Sequence, residues 1–289
     1  MIRYAQLAPG PGWRPFRALR YYAYRLGSAT PLGRAVADAI AAILAIRHPA
    51  QLAQPADVDG ALLDRLRRDG FTLLPPLLSD AQIEEMLAYL ADRDPVRGKA
   101  LADYELRDVV NCPQVMELAN HPRLLALASS YLGCAPTIST IGIRWSYPAE
   151  QIAGVQSFHR DPDDWKTLKV FTYLTDVDEG AGPHVYIAGS HRDRQPVTAR
   201  RYSDQEVAEK YGEAAQISVC GPRGAMFMAD TAGIHKGAAV TTGRRLMLEV
   251  GYTLLPIYAM EYNPVALARS SLDLDRYINR LIVKPRPAE

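Results

Sequence analysis

The chain has 289 residues, 48% apolar and 22% charged, with a formal net charge of +1. These values exclude a disordered or collagen-like chain and describe a globular protein with a sizeable core. The near-neutral balance gives no global reason to expect nucleic-acid binding. Cys112, Cys134 and Cys220 are odd in number and lack any CxxC spacing. They are expected as reduced, mostly buried thiols in a cytoplasmic protein. No secretory leader is legible at the start, and the longest apolar run, Ala39 to Ile46, is too short to span a membrane.

Residues 1–56 read as an appendage. From Trp13 to Arg25 basic and aromatic residues alternate, and Ala35 to Ile46 forms an apolar, Ala-rich helix closed by Arg47-His48-Pro49. Two readings are open: an arm packing on the body or on a second subunit, or an interfacial anchor to anionic lipid or an acidic carrier.

From residue 57 the pattern sharpens. Asp59 caps a short helix through Leu62, Leu63 and Leu66, and Gly70 stops it. Phe71 to Leu74 is a strand ended by Pro75-Pro76. Ser79 and Gln82 form a capping box ahead of the helical stripe Ile83, Met86, Leu87 and Leu90. A further helix starts at Pro122 and ends on Gly133. Then come β-rich runs: Thr137 to Ser146, Leu168 to Val177, His184 to Ile187, Ala225 to Ala229 and Arg245 to Leu255. Between Arg192 and Gly212 lies a polar excursion with its own capping box, Ser203 and Glu206, placed like a lid. Leu272 to Val283 reads as a closing amphipathic helix. Helices first and strands after predict an α+β fold: a double-stranded β-helix (jelly roll) over residues 57–289, with flanking N-terminal helices and a C-terminal helix.

The chemistry is concentrated in Gln156-Ser157-Phe158-His159-Arg160-Asp161-Pro162. On an extended strand, His159 and Asp161 leave by the same face. With one more histidine they make the two-His, one-carboxylate set of a non-haem Fe(II) site, and His235 in Gly233-Ile234-His235-Lys236-Gly237 offers it. Between them run Leu168 to Leu174, Asp176-Val177-Asp178-Glu179-Gly180-Ala181-Gly182-Pro183 and Gly189-Ser190-His191. Arg245 follows ten residues after His235.

This ordered set resembles the phytanoyl-CoA dioxygenase family of Fe(II)- and 2-oxoglutarate-dependent oxygenases, over about Asp57 to Leu255. The resemblance implies iron ligands at His159, Asp161 and His235. It implies that Arg245 binds the distal carboxylate of 2-oxoglutarate, with Arg244 as the alternative one residue away. Thr172 is expected as a further cosubstrate contact. A planar, permanently charged arginine suits a carboxylate by bidentate hydrogen bonding. Gly237 departs from members that carry a serine there to help hold the cosubstrate. Asp161 at the carboxylate position favours hydroxylation or desaturation over halogenation, with O2 as oxidant and succinate and CO2 released.

The expected partner is a small or medium-sized metabolite, and an anionic one if Arg192, Arg194, Arg200 and Arg201 capture it. The rival readings are a cupin-like isomerase or hydrolase, which has no use for a buried Arg245, and an inert jelly-roll binding domain. His191 is expected either to be structural or to support the ligands from behind, and His184 is left without a role.

Overall fold

The computed structural model describes residues 14–28, 30–49, 58–150, 154–193, 200–268 and 272–285. Two helices, α1 (Pro15–Ser28) and α2 (Pro31–Arg47), come first. Thr30 starts α2 by accepting the Gly33 amide on its hydroxyl at 3.0 Å. One face of α1 buries Tyr21 and Tyr24 against Ile257 and Ala259, and α2 lays Ala41 on the main core. Both helices thus pack on the body. Trp13 lies outside the described residues.

Helix α3 (Gly60–Asp69) starts where the Asp59 carboxylate accepts the amides of Ala61 and Leu62 at 3.0 and 3.1 Å. It ends on Gly70, whose φ of 73° is left-handed. A side chain at Gly70 would also run into the Tyr186 hydroxyl and the His191 ring. After β1 (Phe71–Leu74), α4 (Asp80–Ala91) follows the Ser79–Gln82 capping box and buries Ile83, Met86 and Leu90. Four short elements come next that have no clear periodicity in sequence: β2 (Val96–Arg97), β3 (Leu101–Asp103), α5 (Leu106–Asn111) and α6 (Val115–Ala119). Then α7 (Pro122–Leu132) runs to the left-handed Gly133.

The β region contains β4 (Thr137–Ser146), β5 (Thr167–Tyr173) and β6 (His184–Ile187). After them come α8 (Asp204–Tyr211), β7 (Gln216–Val219), β8 (Met226–Ala229), β9 (His235–Gly237) and β10 (Arg245–Thr253). Seven strands form one sheet in the order β1-β8-β5-β10-β4-β3-β2, and three form a second, β7-β6-β9. Every pairing among these strands is antiparallel. The expected double-sheet architecture is therefore present, with helices packed on one face of the larger sheet.

Alternation along β10 decides which face is which. Leu246, Leu248, Val250 and Tyr252 enter the helix-packed core with Leu66, Met86 and Leu132. Arg245, Met247 and Glu249 point the other way, and Met247 joins Phe171, Tyr173, Phe227 and Tyr186 between the two sheets. A fully buried aliphatic side chain contributes about 1.5–3 kcal/mol over an exposed one. A one-residue slip of β10 would put Met247, Glu249, Gly251 and Thr253 where these four side chains pack, so the register is firmly set.

Some sequence expectations are shortened. Strand β5 stops at Tyr173 rather than Val177, because the Asp176 carboxylate turns the chain by accepting the Arg223 amide at 2.8 Å. Strand β10 stops at Thr253, where the next turn is held by the Leu255 amide on Asp164 at 2.7 Å. The closing helix shrinks to α9 (Arg276–Asn279), started by the Asp275 carboxylate on the Ile278 amide. Beyond it the chain returns to pair Val283 with Val265. Cys112 and Cys134 are buried as expected, whereas Cys220 is exposed beside Glu179.

Candidate active site

His159 and His235 face one another across an antiparallel bridge. Each backbone amide donates to the other residue's carbonyl, at 2.9 and 3.0 Å. Directly opposed residues in such a pair bring their side chains together, and the two imidazole centroids are 4.3 Å apart. The chain stays extended beyond His159, with the Asp161 amide donating to the Thr231 carbonyl at 2.8 Å. Asp161 therefore emerges on the same face as His159. Its two carboxylate oxygens lie 3.5 Å from Nε2 of His159 and 3.5 Å from Nε2 of His235. One donor atom from each of the three residues falls within 4.8 Å of the others.

The histidine tautomers follow from their partners. Nδ1 of His159 is 2.9 Å from the Ser157 carbonyl, and Nδ1 of His235 is 3.0 Å from the Gly233 carbonyl. A carbonyl only accepts, so Nδ1 carries the proton and Nε2 presents a lone pair toward the cluster. Burial lowers the pKa of His235 and favours this neutral form. Two imidazoles presenting Nε2 and one half-buried carboxylate on the same face are a donor set suited to Fe(II).

Lys169 on β5 lies beneath the carboxylate. Its Nζ is 2.7 Å from Asp161, 3.1 Å from Asp163 and 3.3 Å from Glu249. Burial would raise the Asp161 carboxyl, but the Lys169 ammonium, foremost among the opposing groups, holds it well below the usual range. Burial would likewise lower Lys169, and the three carboxylates outweigh it and hold the ammonium well above its ordinary value. Asp163, with less compensation, is pushed by burial up to about 6. Lys169 thus keeps Asp161 ionised and occupies one of its oxygens, which orients the other. Sequence reasoning missed this residue, although one lysine within the apolar run Leu168 to Leu174 is itself a signal.

Arg245, the first residue of β10, is 4% exposed. Its guanidinium donates to the Gly182 carbonyl and, at 3.3 Å, to the Ser146 hydroxyl. Its Nε is buried without a hydrogen-bond partner, and burial lowers its pKa. Both of these acceptors are neutral, so neither balances the buried positive charge. Arg244, by contrast, is exposed and lies over the Trp145 ring at 4.5 Å. Thr172 does not face this region. It shares the parity of Leu168 and Val170, which pack against the helices, whereas Phe171 and Tyr173 face the space between the sheets. The expectation for Thr172 fails on strand alternation.

His184 on β6 pairs with Gly237 of β9 and stacks on His235, with centroids 5.5 Å apart. Burial holds its pKa well below the ordinary value, and its Nε2 has no partner. The arginine, the neutral histidine and the three-residue cluster therefore border one interior region. His191 is structural: its Nε2 is 3.3 Å from the Arg67 carbonyl.

The excursion after His191, expected as a polar, lid-like segment with a helix capped by Ser203, is docked on the body. Helix α8 buries Val207 among Phe158, Val185, Ile187 and Ile234. The Tyr202 amide donates to the Phe158 carbonyl at 2.9 Å. Arg160, between the two clustered residues His159 and Asp161, donates to the carbonyls of Ser190 and Ala232 and to the Tyr211 hydroxyl, at 2.8, 2.6 and 3.2 Å. Arg200 and Arg201 are exposed, and Arg200 pairs with Glu206. Arg194 lies outside the described residues.

Residues 66–247 match the family model for phytanoyl-CoA dioxygenase (PhyH). That segment is more than half of the chain, and the protein belongs to the phytanoyl-CoA dioxygenase family. Similar solved structures include HygX from Streptomyces hygroscopicus with nickel, 2-oxoglutarate and hygromycin B bound, at TM-score 0.54 and 18% identity, covering 76% of this chain and 96% of that one. EctD from S. alaskensis with 2-oxoglutarate and 5-hydroxyectoine matches at 0.53 and 19%, covering 69% and 77%. The epimerase SnoN, in complex with Fe3+, alpha ketoglutarate and nogalamycin RO, matches at 0.52 and 23%, covering 66% and 82%. At these identities the likeness establishes the fold. A search of curated proteins finds no match.

Proposed function

We propose that the protein is an Fe(II)- and 2-oxoglutarate-dependent dioxygenase that hydroxylates or desaturates a small or medium-sized metabolite. The observation that carries this reading is the convergence of His159, Asp161 and His235, with donor atoms within 4.8 Å of one another and both Nε2 lone pairs turned inward. These three residues would hold the iron. Arg245, whose buried Nε lacks a partner, would hold the distal carboxylate of 2-oxoglutarate. Gly237 leaves that guanidinium uncovered, since a Cβ there would stand 2.9 Å from Nη2. When bound, iron and 2-oxoglutarate together supply an O2-derived oxidant for a C–H bond, one oxygen atom leaving in succinate as CO2 is released.

The chain's own residues bind, orient and exclude water. Lys169 fixes the Asp161 carboxylate, and the Ser157 and Gly233 carbonyls fix the two imidazoles. Phe171, Tyr173 and Phe227 make the space between the sheets apolar, which strengthens every charge interaction inside it. HygX and EctD, named with 2-oxoglutarate, give this reading its support by analogy of fold.

The test is turnover. Purified protein with Fe(II), ascorbate and 2-oxoglutarate is expected to release succinate faster in the presence of a suitable metabolite. A panel of metabolites that leaves succinate release at the metal-only background, in protein that binds Fe(II), would overturn the assignment of 2-oxoglutarate as cosubstrate. A zinc-dependent hydrolase reading predicts no role for Arg245, so a 2-oxoglutarate titration of the Arg245→Gln variant separates the two.

A further inference from the structure

Among the described residues nine large apolar side chains stand exposed, and seven of them are on α1 and α2; the other two are Leu73 and Val96. Scattered exposed apolar residues are ordinary, but a concentration of them marks a contact surface. The exposures run from 49% at Tyr22 to 83% at Phe16.

The spacing is helical. Phe16, Leu19, Tyr22 and Leu26 follow one another at three- and four-residue steps and form a stripe along α1. The opposite side, with Tyr21 and Tyr24, is the one buried on the body. On α2, Leu32, Ile43 and Ile46 are about three and four turns apart and so share a side, while Ala37 and Ala41 are buried round the other. Each helix therefore has two apolar faces. The fold uses one of them.

Charge says what covers the other. Residues 14–47 contain six arginines and a single acid, Asp38, which Lys166 holds at 2.8 Å. The whole chain carries only +1, so this basic excess is local. Arg14 stands just before α1, Arg47 closes α2, and both are exposed with Arg20 and Arg34. Apolar stripes bordered by arginine suit a surface with an apolar interior and phosphate groups at its edge.

No single helix among the described residues is long and apolar enough to cross that surface. The longer, α2, has 17 residues, about 25 Å at ~1.5 Å per residue, against a hydrocarbon core of ~30 Å. The pair is bent by 112° at the break between the helices. Both also lie outside the segment that matches the family, which begins at residue 66.

We propose that α1 and α2 form an interfacial anchor that lays their outward apolar stripes into the surface of an anionic phospholipid bilayer. The anchor does not depend on the catalytic reading. It is tied to the body beside the site, where the Tyr24 hydroxyl donates to the Asp164 carbonyl at 2.6 Å.

The experiment is sedimentation of the full chain with vesicles of phosphatidylcholine alone or with phosphatidylglycerol added. Binding is expected only to the anionic vesicles, and it should weaken with added salt. Phe16→Ser with Leu19→Ser, and separately Ile43→Ser with Ile46→Ser, should each lower affinity by about tenfold or more. These side chains are exposed, so the circular dichroism and melting of the variants should match the parent. Failure of the parent to bind anionic vesicles overturns the proposal. So does a stable dimer that ignores vesicles and is dissociated by the same substitutions, which would give the face to a second copy of the chain.

Discussion

Gly237 and Arg245 are in contact across the end of the barrel: a Cβ built on Gly237 would stand 2.9 Å from Nη2 of Arg245. The glycine is what lets the guanidinium lie where it does. Gly237→Ala should push it aside and lower 2-oxoglutarate affinity by about tenfold, or ~1.4 kcal/mol. Fe(II) affinity should change little. An anaerobic titration of the metal-loaded protein with 2-oxoglutarate reads both; an unchanged constant for the alanine variant would show that the carboxylate sits elsewhere.

Adjacent arginines should behave unlike one another. Arg245→Gln removes a buried charged partner and is expected to cost on the order of 2–4 kcal/mol in 2-oxoglutarate binding. Arg244, exposed over Trp145, should cost far less when changed to Gln. The same titration on both variants decides, and a reversed order would move the cosubstrate site by one strand position.

For the proposed iron ligands, His159→Ala, Asp161→Ala and His235→Ala should each abolish coupled turnover. Because the three would act on one metal, the losses should not add in double variants. Fe(II) binding measured by calorimetry should fall in each. Near-normal succinate release in any one of them removes that residue from the set.

Asp164 predicts a pH dependence of stability. It is buried, and burial pushes its carboxyl from an ordinary 3.8 up to about 7. Between those values the unfolded chain has lost the proton while the native chain keeps it, so stability falls as pH rises through that window. The full difference corresponds to roughly 4 kcal/mol. Denaturant melts of the parent and of Asp164→Asn across the window should show a falling curve for the parent and a much flatter one for the variant. Parallel curves would mean that Asp164 ionises normally in the folded protein.

Local chemistry is what made much of the fold legible in sequence. Asp59, Ser79, Ser203, Gly70 and Gly133 act on neighbours a few residues away, and all five sit at helix ends as expected. The alternation of β10 was readable too, and it separates the buried Arg245 from the exposed Arg244. Pairing between distant segments was not readable. Nothing local says that His159 bridges His235, or that Lys169 meets Asp161, Asp163 and Glu249 at one point. Thr172 was misassigned because a residue in a strand buried on both faces shows no polar side to choose by. The capping box marked the helix within residues 200–212 but not its docking, which rests on Val207, its one fully buried side chain, with Tyr211 packed beside it.

The two faces of β10 are under different physical constraints. Leu246, Leu248 and Val250 are constrained by the helices packed on them, and an unfavourable change there reduces how much protein survives folding. Glu249 stands on the other face, part exposed and clear of that core. Replacing it would alter the charge beside Lys169 without opening a void among the helices. A change at Glu249 can therefore retune the charge around Lys169 and Asp161 while the helix-packed core, and with it foldability, is left intact.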